Sequence, residues 1–388
     1  MSKVEELLEK YNPDGVEYLT LGEICLNHDS KRRPISKGNR IPGNIPYYGA
    51  NGIQDYVDDY LFNGEYILVG EDGSVITEEG TPIVKWVYGK FWVNNHAHIF
   101  SENLNKALLK YVFYILQINK IKDLVRGVPP KLTKESVLSI SLKIPHIKVQ
   151  EEIVNILDSF TNLIDALNEE LSLRQKQFEY YREKLLTFDE SVKKIKLEEI
   201  GYFYGGLSGK SKKDFIGGNK KFISYMNIFT NSTVRLDIDD KVKVGKEEKQ
   251  NKITYGDILF TGSSETPDEC GMTSVVTCEI NEDIYLNSFS FGYRFNNLNG
   301  LFPKFFSFLM RSHFIRDEIT KTANGVTRFN VSKKLLGKVM IPIPPLSIQK
   351  SIVEKLDAFE SLISSLKEEI ALRQKQYEYY REKLLTFD

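Results

Sequence analysis

His96 and His98, in the stretch NNHAH (Asn94–His98), stand two residues apart and fall on one face of a strand, as two metal ligands would. No third ligand follows at a matching spacing, so a hydrogen-bonded strand is the stronger reading. GGLSGKS (Gly205–Ser211) approaches a phosphate-binding loop. Tyr204, however, stands where G-x-x-x-x-G-K-S/T needs glycine, and the following KKDFIGGNK does not read as a helix. No G-x-G-x-x-G follows a strand, so no dinucleotide or methyl-donor fold is visible. Asp240 with Glu247, Glu248 and Lys249 is a faint nuclease-like set, but its lysine-rich polar surroundings read as a solvated turn. No catalytic constellation emerges.

The chain does carry the side chains that read a polyanion. Tyr48 and Asn51 lie in PYYGANGIQDY, Asn94 and Asn95 in VNNHAH, and Asn227 in YMNIFTNST. Ser263 and Ser264 lie in TGSSETPDE; Thr327, Arg328 and Lys333 lie in TANGVTRFNVSKK. Asn and Gln suit adenine edges, Arg and Lys suit guanine edges or phosphates, and hydroxyls suit either. Lys131 belongs to a basic cluster with Lys120, Lys122, Arg126 and Lys134. Lys210, Lys212 and Lys213 belong to another with Lys220 and Lys221, and a third gathers Lys31, Arg32, Arg33, Lys37 and Arg40. The overall net charge of −1 hides this distribution. Residues 151–189 carry net −5 and residues 350–388 net −1, so the remainder carries about +5. Each loop alone is an ordinary polar turn; the recurrence beside basic clusters points to nucleic acid.

The elements that must position these residues form a tandem repeat. LRQKQFEYYREKLLTFD (Leu173–Asp189) recurs as LRQKQYEYYREKLLTFD (Leu372–Asp388), with one difference, Phe178 against Tyr377. Residues 144–189 and 343–388 share 29 identities in 46 ungapped positions. Each copy opens with Ile-Pro, where preceding structure breaks, and then runs about 40 residues without Pro or Gly; Ser347 is the expected N-cap of the second. Such a helix is about 60 Å long. Ile153, Leu157, Phe160, Ile164, Leu167, Leu171, Arg174, Phe178, Tyr181 and Leu185 follow a 4-3-4-3 rhythm. Ile352, Leu356, Phe359, Ile363, Leu366, Ile370, Arg373, Tyr377, Tyr380 and Leu384 repeat it. A seam every 3.5 residues wants a helix partner, and the other copy, set antiparallel by a pseudo-two-fold, is the natural one. Arg174 and Arg373 interrupt the seam at equivalent places. They either pair inside it and fix register, or snorkel to solvent.

VEYLTLGEI (Val16–Ile24) resembles VKKIKLEEI (Val192–Ile200), so the repeat extends beyond the helices. Runs such as GEYILVGED and SFSFGYRFN read as strands, whereas Asn105–Ile121 and Leu301–Thr320 read as amphipathic helices. The expected fold class is α+β: two globular recognition domains separated by two long helices pairing as an antiparallel coiled coil. The plan is a short N-terminal helix (1–15) docking on the repeat, a first domain (16–143), a long helix (144–189), a second domain (190–342) and a second long helix (343–388). Three cysteines without CxxC spacing argue for free thiols and a reducing cytoplasm. No run approaches the ~18 apolar residues of a membrane span.

VEYLTLGEI, IPYYGANGIQDYVDDYLFNGEYILVGEDGS, WVNNHAHIF, GDILFTGSSETP, NGVTRFNVSKKLL and above all the two repeat segments give the chain its likeness. Over nearly its whole length it resembles the specificity subunits of type I restriction–modification enzymes. The resemblance implies a subunit without catalysis of its own. Each recognition domain would read one half of a split target in double-stranded DNA. The helix pair would set the gap and dock two adenine-N6 methyltransferase subunits, with restriction–translocase subunits joining for cleavage. No cofactor is expected on this chain; AdoMet, ATP and Mg²⁺ belong to those partners. A stand-alone DNA-binding nuclease and an adaptor without nucleic acid are the alternatives.

Overall fold

The computed structural model describes residues 3–103 and 106–387. Met1, Ser2, Asn105 and Asp388, which enter the ranges above, lie outside the described residues, as does Leu104. The chain forms two compact units, Met1–Glu169 with Glu368–Asp388, and Glu170–Lys367. The units cut across the linear order, because each long helix gives one half to each.

In the first unit a six-stranded sheet runs in the order Cys25–Asn27, Ala97–Glu102, Phe62–Gly70, Val84–Val93, Pro42–Gly49, Gly52–Val57. Helix Leu109–Leu116, shorter than the sequence suggests, buries Tyr111, Val112, Tyr114 and Leu116 in the core. Glu17–Thr20 pairs with Ser141–Ile144 and hands the chain to the first long helix, Ile147–Leu186. The N-terminal helix Lys3–Tyr11 docks there: Tyr11 stacks on His146 (4.6 Å between rings) and Lys3 pairs with Glu152.

In the second unit a four-stranded sheet runs Gly201–Gly205, Ser290–Phe295, Ile258–Thr261, Thr273–Val275. Lys194–Lys196 pairs with Met340–Pro342, as its counterpart does in the first unit. The single helix expected over Leu301–Thr320 is two, Pro303–Leu309 and His313–Thr320, because Ser312 begins a new helix. Half-buried Arg311 sits in the break and donates to the carbonyls of Ile228, Phe229, Asn231 and Thr273; desolvation pushes its guanidinium down to about 10.

Ile-Pro does end the preceding strand in both copies, but the second long helix spans Leu346–Thr386, so Ser347 lies inside it rather than at its cap. What anchors each start is a buried glutamine. Gln150 donates to Pro145 O and accepts from the Leu108 amide (both 2.8 Å). Gln349 donates to Pro344 O (2.8 Å) and accepts from the Phe302 amide (2.9 Å). Each thereby satisfies the backbone at the start of a long helix and of a domain helix together.

The helices pair antiparallel through matched rings. Phe160 stacks on Tyr380 in the first unit and Phe359 on Tyr181 in the second, at 5.4 Å each. Ile153 and Leu157 are also fully buried in the first domain's core, and Ile352 and Leu356 in the second's. The early seam therefore serves the globular domain as well as the partner helix. Leu167 is half-buried and Leu366 buried. Arg174 bonds Glu170 and Gln177 of its own helix, and Arg373 bonds Glu369 and Gln376. Both remain partly exposed, which decides for snorkelling over a buried register pair. The one difference in the repeated stretch has a local cause. The Tyr377 hydroxyl meets Gln117, at the end of its domain helix; Phe178 packs edge-on to Phe308, where the corresponding helix ends at apolar Met310.

Cys25 and Cys270 are buried and Cys278 is exposed. Burial pushes the Cys25 thiol up to about 12 and also raises Cys270. A thiol reagent at pH 8 is expected to titrate Cys278 alone in the native chain and all three cysteines in denaturant. Fast native labelling of Cys25 would contradict this packing.

Candidate nucleic-acid interface

The first unit gathers three loops at one end of its sheet. The Asn94 amide nitrogen donates to Tyr48 O (3.0 Å), its side chain accepts from the His96 amide (2.8 Å) and donates to Gln54 (3.2 Å). Glu71, leaving strand Phe62–Gly70, bonds the next loop through backbone: its amide donates to His96 O and its carbonyl accepts from the Leu132 amide. Glu71 also pairs with Arg32 (2.5 Å) and Lys131 (3.4 Å). The third loop is closed by Arg126 and Lys131, whose backbones exchange two bonds (2.9 and 2.7 Å).

The second unit repeats this wiring with different residues. Asn287 plays the part of Asn94: its side chain accepts from the Phe289 amide (2.9 Å) and donates to Ile223 O (3.0 Å). The Gly262 amide donates to Phe289 O and its carbonyl accepts from the Val331 amide, as Glu71 does. Ser263–Ser264 pairs with Phe329–Val331, and Asn324 closes the third loop on Asn330. Two half-buried arginines hold this region. Arg311 is described above; Arg316 donates to the carbonyls of Asp268, Cys270 and Gly271.

The sequence candidates divide on this framework. Asn51, at a hairpin tip, and Asn95 are exposed. Tyr48 is half-buried against Phe91, and burial raises its phenol above the ordinary value. Asn94 is buried with its amide spent on the turn, and Asn227 likewise spends its side chain on both backbone groups of Arg235. Both are framework, since a buried amide that already has its partners offers nothing to a base. Lys131 is exposed and reaches Glu71, whose partner Arg32 also meets Asn95 O (3.4 Å). Lys210 is closed off: it bonds Glu248 at 2.6 Å, and this bond first, then Gln250 and the Gly245 amide, holds Glu248 down at about 2. Lys212 and Lys213 are exposed, on the turn Lys212–Phe215. Ser263 accepts from Arg328 Nε (3.2 Å), and Ser264 donates to Glu269 (3.2 Å). Thr327 and Arg328 stand exposed, and Lys333 lies 4.9 Å over the Phe291 ring. The structure thus joins Ser263 with Arg328 in one unit and links Lys131 to Asn95 through Glu71 and Arg32 in the other. The metal reading of the two histidines gives way to hydrogen bonds: His98 is buried between Asp29 and Leu132 O, and His96 meets Asp72.

Sequence reasoning missed Phe289, 66% exposed at the position His96 holds in the first unit. The signal was the shared Asn-x-aromatic order of NNH and NSF. It also missed Leu173 and Tyr180, 65% and 59% exposed, and their copies Leu372 and Tyr379 at 66% and 60%. These lie seven residues apart on one face of each helix, outside the seam.

A loop face built twice, on units carried by paired repeat helices, defines a tandem recognition protein with two related reading surfaces. Its family is the type I restriction-modification DNA specificity family: the sequence model of that domain matches residues 13–173 and again 189–372, so the chain belongs to it and carries two specificity domains. A putative type I restriction enzyme specificity subunit of Haemophilus influenzae is 36% identical, with 99% of this chain and 98% of that one covered. A type I restriction enzyme specificity subunit of Escherichia coli is 28% identical, covering 100% of this chain and 97% of that one. The crystal structure of a type I restriction-modification S subunit from M. genitalium shares the fold, with TM-score 0.56, 16% identity and 95% and 96% of the two chains covered. Among the described residues no helix is long and apolar enough to cross a membrane.

Proposed function

We propose that this chain is the non-catalytic reader of a cytoplasmic type I methyltransferase–restriction assembly. Each loop face reads one half of a bipartite site in double-stranded DNA. The observation that carries this reading is the repeated wiring: Asn94 and Asn287 build the same turn, while the exposed residues around them differ. A constant framework with variable exposed side chains suits two different half-sites. The long helices, about 60 Å each, are of a length to span half-sites about 34–36 Å apart and so set the gap. AdoMet, ATP and Mg²⁺ are assigned to the methyltransferase and translocase partners.

Leu173, Tyr180, Leu372 and Tyr379 support docking of two copies of one partner, because the same exposed apolar pair is offered twice. Tyr379→Ala with Leu372→Ala is expected to weaken one methyltransferase subunit's binding by about 2 kcal/mol or more while the other stays bound. Native mass measurement of the complex would then show one subunit lost; an intact 2:1 complex would remove these residues from the interface.

The test of the whole reading is a genome-wide map of N6-methyladenine after co-expression with the cognate methyltransferase in a host without background methylation. One bipartite motif with a fixed gap is expected. DNA cleavage by the purified chain with Mg²⁺ alone would instead favour a nuclease.

A further inference from the structure

In the first unit the loop between Arg126 and Lys131 lifts Val128 to 100% exposure; in the second, the loop between Asn324 and Asn330 lifts Val326 to 90%. In each, a glycine with positive φ, Gly127 (83°) or Gly325 (147°), precedes the valine. At Gly325 a Cβ would lie 2.0 Å from Arg328 O, so the turn admits only glycine there. Four residues lie between the closing pair in the first loop and five in the second, yet the Gly-Val tip is kept. Both loops rest on the framework already described, through the Leu132 amide to Glu71 O and the Val331 amide to Gly262 O (2.8 and 3.1 Å). The bases of both loops are therefore held.

A fully exposed valine contributes nothing to its own unit's core, and leaving it in water carries a cost. Cations flank both tips along the chain and are exposed: Arg126 and Lys131 on either side of Val128, and Arg328 two residues after Val326. Such a setting fits a groove bordered by phosphates rather than a protein surface. Valine is short and stiff at χ1, so it reaches a groove edge but is a poor wedge between stacked bases. The apolar group a base edge offers in the major groove is the thymine methyl. Resting on the DNA-reading function proposed above, we infer that Val128 and Val326 are the apolar base-reading tips of the two half-sites, each packing on a thymine 5-methyl group.

The test compares the full chain, in complex with its methyltransferase, as wild type, Val128→Ala and Val326→Ala. Methylation maps come first, then binding to duplexes of the mapped site with single thymines replaced by deoxyuridine. Each variant is expected to relax discrimination at one base pair of one half-site by about tenfold. The wild-type complex should lose affinity at that deoxyuridine position, and the matching variant should not. The other half-site and the gap should be unchanged, and both variants should melt as the wild type does. Unchanged discrimination in both variants, or weakening shared equally by all sequences, overturns the inference. A wild-type complex with no bipartite motif would overturn the DNA-reading function itself, so the two failures are distinguishable.

Discussion

Lengthening both long helices by one heptad, after Glu169 and after Lys367, is expected to widen the gap between half-sites by about three base pairs. Seven residues add about 10 Å of helix, and B-DNA rises about 3.4 Å per base pair. A heptad preserves the 3.5-residue seam, so the stacks of Phe160 on Tyr380 and Phe359 on Tyr181 survive in their own units. Inserting into one helix alone would disturb antiparallel registration and is expected to impair folding. The loops lie far from the insertion points in sequence and in their own cores, so both half-sites should read as before. A methylation map settles it: an unchanged gap would show that something other than helix length sets the spacing.

Asp257→Ala is expected to destabilise the second unit by about 3 kcal/mol. Asp257 is 1% exposed and accepts four hydrogen bonds: Tyr204 Oη (2.6 Å), the Thr254 amide (2.8 Å) and Arg294 Nε and Nη2 (2.8 and 2.7 Å). The bond to Asp257 holds the Arg294 guanidinium above its ordinary value. Removing the carboxylate orphans the buried Tyr204 hydroxyl and leaves the cation without its counter-charge. Asp257 directly precedes strand Ile258–Thr261, which leads into Ser263, so the loss should reach the reading face. Urea unfolding is expected to show an earlier transition in the variant, and the map a weakened half-site rather than two. A variant as stable as wild type would mean that water replaces the carboxylate.

Much of this was legible because repeats and periodicity are local properties. The 199-residue offset of the two helices, their seam and the likeness of Val16–Ile24 to Val192–Ile200 follow from residue order alone. The arginines of the seam left two readings open, since one side chain's fate depends on what lies beside it. Helix lengths within the domains were overestimated, because nothing local marks the stop at Leu116 or the new start at Ser312. Among candidate contact residues, type was a poor guide. Asn94, Asn227 and Lys210 have the right chemistry and spend it internally, whereas Phe289 and Val326, apolar and not among the candidates, stand exposed.

The sequence by itself determined that there are two related halves and what kind of helix joins them. Only the tertiary structure decided which polar groups remain unspent. An amide's or lysine's availability depends on partners 8 to 40 residues away, as Gln54 and Asn94, Arg235 and Asn227, or Glu248 and Lys210 show. Hydrogen bonding is satisfied in space, not along the chain, and the surface left for DNA is what that accounting does not consume.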